Sequence, residues 1–282
     1  MKAAFQQEYS DCGLDVKVCF GFILHRGFIL SNNPRIEKEY PVHVYDTGPD
    51  GRLSLHALFN YFQDIASDHA IVLGYGRDEL LKQNHFWVLS RIYAEIDSLP
   101  AWNEKISLAS WPRGTDKLFA LRDFEMKSAE RQILARATSS WLIIDRDSKR
   151  VQRPDINLTR LNSYLAEKSC TLRNAAKIEA APPGGSSSQP FRVRISDLDV
   201  NLHTNNSSYL LWVIDTYKLD FMLRNVPMSV EINYLSESRF DDTVVIVTSC
   251  SENDPDLFSH SAIRPADNTE LCRVRIRWKR IL

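Results

Sequence analysis

Twice along this chain a strand-like run leads into a helix with one apolar face and then into four more strand-like runs. The stretch PPGGSSSQP (182–190) stands between the two copies. Repetition on this scale points to two similar units in tandem. In the first copy YPVHVYD (40–46) alternates as a strand does, and Ser54 is placed to cap a helix. That helix is read from Leu55, Leu58, Phe59, Phe62, Ile65, Ala66 and Leu73, which recur at helical spacing, with Gly74 as the stop. FWVLSRIYAEI, KISLASW, LFALRDFEM and ILARATSSWLIID follow as strands. In the second copy FRVRI (191–195) is the first strand. Asn205 or Asn206 then caps a helix carrying Leu210, Val213, Ile214, Tyr217 and Phe221 on one face, ending before Pro227. SVEINYL, TVVIVTS, SHSAI and LCRVRIRW complete it, and AEIDSL (94–99) and VEINYL (230–235) hold the same place in each copy. A single sheet needs its apolar face covered, and one long helix per sheet can do it. The expected class is α+β, a helix wrapped by an antiparallel sheet, twice.

Pro, Gly and Ser at 182–190 cannot build a packed element. The preceding stretch from about 156, mixed and partly helical in pattern, joins it as one long connection. The chain thus divides into an extension at 1–35, a first unit at 36–155, a linker at 156–190 and a second unit at 191–282. A formal net charge of −1 supplies no bulk attraction to nucleic acid or to an anionic membrane. The five cysteines are odd in number and widely spaced, without a Cys-x-x-Cys pair, so reduced thiols in a cytoplasmic protein are expected, with neither a disulfide frame nor a zinc site. In the extension, VCFGFILHRGFIL contains His25 and Arg26 and is too short to span a bilayer. Glu8, Asp11 and Asp15 precede it where a signal peptide would be basic, so it reads as a non-targeting extension.

The residues with chemistry cluster in DLDVNLH (197–203), just ahead of the second helix. In extended chain Asp197, Asp199, Asn201 and His203 share one face, and Leu198, Val200 and Leu202 the other. A half-buried strand with its polar side in water gives the same pattern. Asp and Asn are poor strand residues, however. A helix N-terminus alongside also offers unpaired N–H groups to a developing negative charge. The pattern by itself leaves both readings open.

DLDVNLHTNNSSYLLWVID resembles the signature of the fatty acyl-acyl carrier protein thioesterases of plants and bacteria, in which Asp-x-Asn-x-His runs into a helix. FWVLSR (86–91), LSLHALFNYFQDIASDHA (53–70) and RATSSWLIIDRDSKRVQRP (136–154) are similar to that family's first half, and the resemblance covers roughly residues 36–282. It implies a tandem hot-dog fold, with the first half holding the acyl chain and the second the catalytic set Asp199, Asn201 and His203, joined by Glu237 from YLSESRF. Plant members commonly carry cysteine after that glutamate; here it is Ser238, which puts a thiol nucleophile in doubt but leaves the carboxylate–imidazole set complete. The implied reaction is hydrolysis of the thioester of fatty acyl-acyl carrier protein, with no metal or cofactor. In it Asp199 and Glu237 activate water, a step worth about 10²–10⁴-fold, while His203 orients or exchanges protons. Asn201 and the helix N-terminus would hold the oxyanion. Direct attack by Asp199, giving an anhydride, is the alternative. Phe59, Phe62, Ile65 and Ala66 are expected to line the acyl channel, and Ser238 to hydrogen-bond a water or His203.

Other features weigh less. His56, which follows Leu55 as His203 follows Leu202, reads as a relic of duplication; His69 and His85 read as helix-surface and strand-end residues. Trp87, Trp111 and Trp141 are core residues that are also able to floor a channel. Arg273, Arg275, Arg277 and Lys279 alternate onto one face of the last strand, for edge protection or for docking an acidic carrier protein. No Gly-x-Ser-x-Gly elbow, Gly-x-Gly-x-x-Gly or P-loop occurs. An acyl-CoA thioesterase, a hydratase-type lyase and a non-catalytic acyl-binding regulator are the competing functions. Two fused hot dogs already supply the pairing that single ones gain by dimerising, so either a monomer or a homodimer is expected.

Overall fold

A computed structural model describes residues 35–154, 170–171, 173–180, 185–251 and 253–281. The expected helical stretch in 156–181 falls largely outside these residues, as does nearly all of the extension.

The first copy opens with β1 (Ile36–Pro41), followed by a 3₁₀ turn at Val44–Asp46. The alternation of YPVHVYD therefore does not extend as strand beyond Pro41. α1 (Leu55–Val72) starts where the sequence says it should, because the Ser54 hydroxyl accepts the Ala57 N–H at 3.2 Å. It stops at Gly74, whose φ of +79° is open to glycine. A short helix α2 (Arg77–Lys82) leads into β2 (His85–Ile96), β3 (Lys105–Asp116), β4 (Phe119–Ser128), β5 (Ile133–Asp145) and β6 (Val151–Gln152).

The second copy repeats the plan with one departure. After β7 (Ser186–Ser187), β8 (Phe191–Arg192) and a 3₁₀ turn at Ile195–Asp197, its helix comes in two pieces, α3 (Asn206–Ile214) and α4 (Leu219–Arg224), where one long helix was expected. The Thr216 hydroxyl donates to the Val213 carbonyl at 2.7 Å, and Lys218 is extended, which breaks the helix between them. β9 (Asn225–Tyr234), β10 (Thr243–Ser251), β11 (Asp254–Arg264) and β12 (Thr269–Arg280) complete the copy, and Pro227 lies within β9.

All the main strands form one antiparallel sheet in the order β1-β3-β4-β5-β2-β9-β12-β11-β10-β7. The two copies meet where β2 pairs with β9, from Arg91↔Asn233 to Glu95↔Ser229. β2 ends within AEIDSL and β9 within VEINYL, the equivalent segments of the two copies. Each helix covers its own part of the sheet. Leu58, Phe62 and Ile65 of α1 are buried with Leu108, Phe124 and Met126, and Leu210 and Val213 of α3 with Ile232, Val274 and Ile276. Each such side chain contributes roughly 1.5–3 kcal/mol by leaving water. The molecule is a tandem hot dog, with α1 and α3 touching along the seam.

Two parts of the linker are more ordered than their composition suggests. Ser186 and Ser187 pair with Thr248 and Val247 as an edge strand, so 182–190 is not wholly irregular. Gly185 allows that approach, since a Cβ there would lie 2.5 Å from the Thr248 carbonyl oxygen. Upstream, residues 173–178 cross the sheet at the seam. Arg173 makes a two-pronged ion pair with buried Glu231 (2.5 and 2.7 Å), and Asn233 accepts the Ile178 N–H at 2.7 Å. Among the described residues no helix is long and apolar enough to cross a membrane.

Candidate active site

DLDVNLH is a turn, and the strand expected from its alternation does not form. Asp197 closes the 3₁₀ turn: its carboxylate accepts the Arg194 N–H at 2.7 Å and its carbonyl accepts the Asn205 N–H at 2.7 Å. Asp199 organises the next four residues. Its Oδ1 accepts the backbone N–H groups of Asn201 (2.8 Å) and His203 (3.1 Å), while its own N–H donates to the His203 carbonyl at 2.8 Å. Tightness has a local cost, for Leu202 takes a φ of 62°, worth about 1–3 kcal/mol in a residue with a Cβ. Val200 and Leu202 are exposed rather than half-buried. Asp and Asn stand here because they bond to backbone two residues on.

The turn leads directly into α3. Asn205 caps it, accepting the Ser207 N–H at 3.1 Å, and the Asn206 N–H, at the first helical position, has no partner within the helix. His203 pairs with Arg239 in an isolated bridge, and Thr204 donates to the Ser238 carbonyl at 3.0 Å. This pairing carries Glu237 to His203, with Oε2 3.4 Å from Nε2. The Asn201 amide donates to Asp199 Oδ2 at 3.3 Å and accepts from Arg77 Nε at 3.2 Å. The four expected residues thus come together as two contacting pairs, Asp199 with Asn201 and His203 with Glu237. Arg77 was not foreseen, because nothing in the sequence links residues so far apart.

Ser238 is fully buried. Its hydroxyl lies 2.7 Å from Thr204 Oγ1 and 2.8 Å from the Tyr209 hydroxyl, and it does not line the cavity described next. It anchors the loop that presents Glu237, and its hydrogen bonds among the described residues go to Thr204 and Tyr209, not to His203.

A cavity of about 490 Å³ runs from this turn into the first half. Asp199, Val200, Asn201 and Asn206 line one end. Beyond them come Ala66, Ser67 and Ala70 on one stripe of α1, with Leu89, Trp87 and Trp141 opposite. Small side chains at 66, 67 and 70 leave the room. Of the expected lining residues only Ala66 faces it; Phe59, Phe62 and Ile65 point into the core instead, Phe62 against Phe124 with ring centroids 4.9 Å apart. The apolar helix face was legible, but the face with small residues is the one that leaves space.

The first copy has the same turn with other residues in it. Asp46 closes the 3₁₀ turn as Asp197 does, and its carbonyl accepts the N–H of the cap residue Ser54 at 2.9 Å. Counting from these anchors, Gly48, Asp50 and Arg52 take the places of Asp199, Asn201 and His203. Arg52, and not His56, is therefore the counterpart of His203. His56 lies within α1, where burial lowers its pKa.

Other expectations resolve by packing. His69 is buried, not a surface residue, with Nδ1 3.0 Å from Arg122 Nη1. His85 opens β2, 4.0 Å from Asp145, and Trp111 is core, beneath the Arg35 guanidinium. The basic row lies on β12, which is interior to the sheet and needs no edge protection. Arg273 is bonded to Glu270 and to the Ile178 carbonyl, and Arg277 to Asp254, while Arg275 Nε is buried. The row is largely committed within the chain and makes a poor docking face.

The model of the acyl-ACP thioesterase N-terminal domain matches residues 34–159, and that of the acyl-ACP thioesterase C-terminal domain matches residues 181–280. The chain belongs to the acyl-ACP thioesterase family. Among relatives of this chain is the chloroplastic oleoyl-acyl carrier protein thioesterase of Coriandrum sativum, 24% identical over 80% of this chain and 65% of its own length. The chloroplastic palmitoyl-acyl carrier protein thioesterase of Gossypium hirsutum is 26% identical over 92% and 66% respectively. The chain therefore spans slightly less than two thirds of the length of these relatives. The fold matches the crystal structure of an acyl-ACP thioesterase from Bacteroides thetaiotaomicron (TM-score 0.77, 22% identity, 88% of this chain and 98% of that one). It also matches the 12:0-ACP thioesterase from Umbellularia californica (TM-score 0.79, 22% identity, 88% and 95%).

Proposed function

We propose that this protein hydrolyses the thioester joining a fatty acyl chain to acyl carrier protein, releasing the fatty acid and the holo carrier. The observation that carries the reading is the shared cavity, whose one end is the Asp199–Asn201 turn and whose body is the largely apolar interior of the first half. An acyl chain laid in the body brings its thioester carbonyl to the turn. Water then adds to the carbonyl carbon, giving its proton to the Glu237–His203 pair. The oxyanion is held by the Asn201 amide and the free Asn206 N–H, and its collapse breaks the C–S bond. The thiolate leaves on phosphopantetheine and takes up a proton. Asp199 orients the water through Oδ2, which faces the Asn201 amide. Each step uses groups of the chain alone, so hydrolysis is expected to survive chelators. The seam provides internally the pairing that single hot-dog domains find in a second chain, which supports a monomer. Cys170, Cys250 and Cys272 are free thiols, in keeping with a cytoplasmic protein.

The test is thiol release, followed with a chromogenic trap, from acyl carrier protein and CoA thioesters of matched chain lengths. The reading requires turnover of the carrier-linked series; turnover of CoA thioesters alone would replace it with an acyl-CoA thioesterase, and no turnover of either would end it. Single turnover in ¹⁸O-water distinguishes the two routes to product, because label in the Asp199 carboxylate would mean direct attack by that residue.

A further inference from the structure

The wall of this cavity carries a cation that the hydrolysis does not use. Arg122, in β4, is among the residues that line it. Its Nη1 donates to Ser110 Oγ at 3.1 Å and to His69 Nδ1 at 3.0 Å. Arginine offers only donors, so His69 accepts through Nδ1 and carries its ring proton on Nε2. Both neighbours are buried. Among the described residues no carboxylate pairs with Arg122, and Nη1 is the one nitrogen of its guanidinium with a hydrogen bond. Burial lowers its pKa to about 10, which leaves it charged at neutral pH. Arg122 as a whole is part-exposed, and it lines the cavity.

A guanidinium in such a place needs acceptors, and stripping its water without replacing them is costly. A plain alkyl chain passing Arg122 displaces water and returns nothing, while a chain with an oxygen substituent satisfies Nε and Nη2. The position along the chain is inward of the thioester. Gln63 touches the catalytic turn through Asn205 at 3.1 Å, and His69 stands about 9 Å farther along the α1 axis.

Resting on the reading above, we propose that the substrate is an oxygenated acyl chain, carrying a hydroxyl, oxo or carboxylate group several carbons from the thioester, and that Arg122 is the residue selecting it. The shared chemistry is an oxygen acceptor for a fixed guanidinium fork.

The test uses the full chain with carrier-linked substrates over a ladder of lengths, each made plain, with a mid-chain hydroxyl and with a terminal carboxylate. At the best length, one oxygenated arm should exceed the plain one in kcat/KM by about ten-fold or more; which arm wins tells hydroxyl from carboxylate. Arg122→Met should reverse the ratio and Arg122→Lys retain part of it. A wild-type preference for the plain chain at every length overturns the proposal without any variant, as does an unchanged ratio in Arg122→Met. Binding of acyl-pantetheine analogues with NH in place of sulfur, read by the fluorescence of Trp87 and Trp141, needs no turnover. Preference in binding without hydrolysis would sink the thioesterase reading alone, whereas hydrolysis without preference would sink this one alone.

Discussion

Glu237 meets His203 across two separate loops, Oε2 to Nε2 at 3.4 Å, and both side chains remain partly open to solvent. Such a contact serves proton transfer better than stability, because an accessible ion pair is worth only about 0–1 kcal/mol. Glu237→Gln and His203→Ala are therefore expected to unfold close to the wild-type temperature. Each should lower kcat by about 10²–10⁴-fold, measured by thiol release beside a thermal melt.

Ser238 separates the nucleophile question from the packing question. Its hydroxyl is buried between Thr204 and Tyr209, so Ser238→Ala should cost about 1–3 kcal/mol of stability, read from urea unfolding. Well below its midpoint the variant should still turn over substrate, at more than a tenth of the wild-type rate. Loss of all turnover in folded protein would give Ser238 a covalent role.

Arg77 is a positioning residue. Through Asn201 Oδ1 at 3.2 Å it fixes the amide that would face the oxyanion. Arg77→Ala should lower kcat by roughly ten-fold, about 1.4 kcal/mol, with a smaller change in KM. In Asn201→Ala the same change should have little further effect, the non-additivity of neighbours acting through one group.

At the seam, Arg173→Met removes the partner of the buried Glu231 carboxylate, which the Ala176 N–H also contacts at 2.8 Å. Breaking a buried pair from one side costs about 3–5 kcal/mol, and the partial exposure of Arg173 puts the expectation at the lower end. Calorimetry should show the drop, and Arg173→Met with Glu231→Leu should recover part of it.

Acid should weaken the second half through His260, whose Nε2 lies 2.9 Å from the Tyr217 hydroxyl and whose Nδ1 lies 2.9 Å from Thr248 Oγ1. Burial pushes its pKa down to about 3, whereas the unfolded ring titrates near about 6.5. Between those values the unfolded chain binds the extra proton, so stability falls as pH drops below about 6.5, by at most about 1.4 kcal/mol per pH unit. His56, also lowered by burial, adds in the same direction. His260→Gln should flatten denaturant midpoints between about pH 7 and about pH 5.

What was readable in the sequence was local. Ser54 and Gly74 mark the ends of α1 because caps act within a few residues. The residue types at 199, 201 and 203 left two readings open, and it was the resemblance to the thioesterase family that favoured the catalytic one and added Glu237. The turn at 199–203 was hidden because period-two spacing is shared by strands and by Asx-type turns. The break between α3 and α4 was hidden because no Gly or Pro marks it, only a hydroxyl taking a carbonyl. The cavity depended on which helix face carried small residues against distant strands. Arg122 reads like any outward strand residue until β3, β5 and α1 close around it.

Because β2 and β9 are stitched together within one polypeptide, the two copies are free to differ. A pair assembled from identical chains must accept every replacement on both sides at once. Here Gly48, Asp50 and Arg52 stand in one copy and Asp199, Asn201 and His203 in the other. On the reading proposed above, the fused chain is free to dedicate one half to holding the acyl chain and the other to cutting it, a division of labour closed to a symmetric assembly.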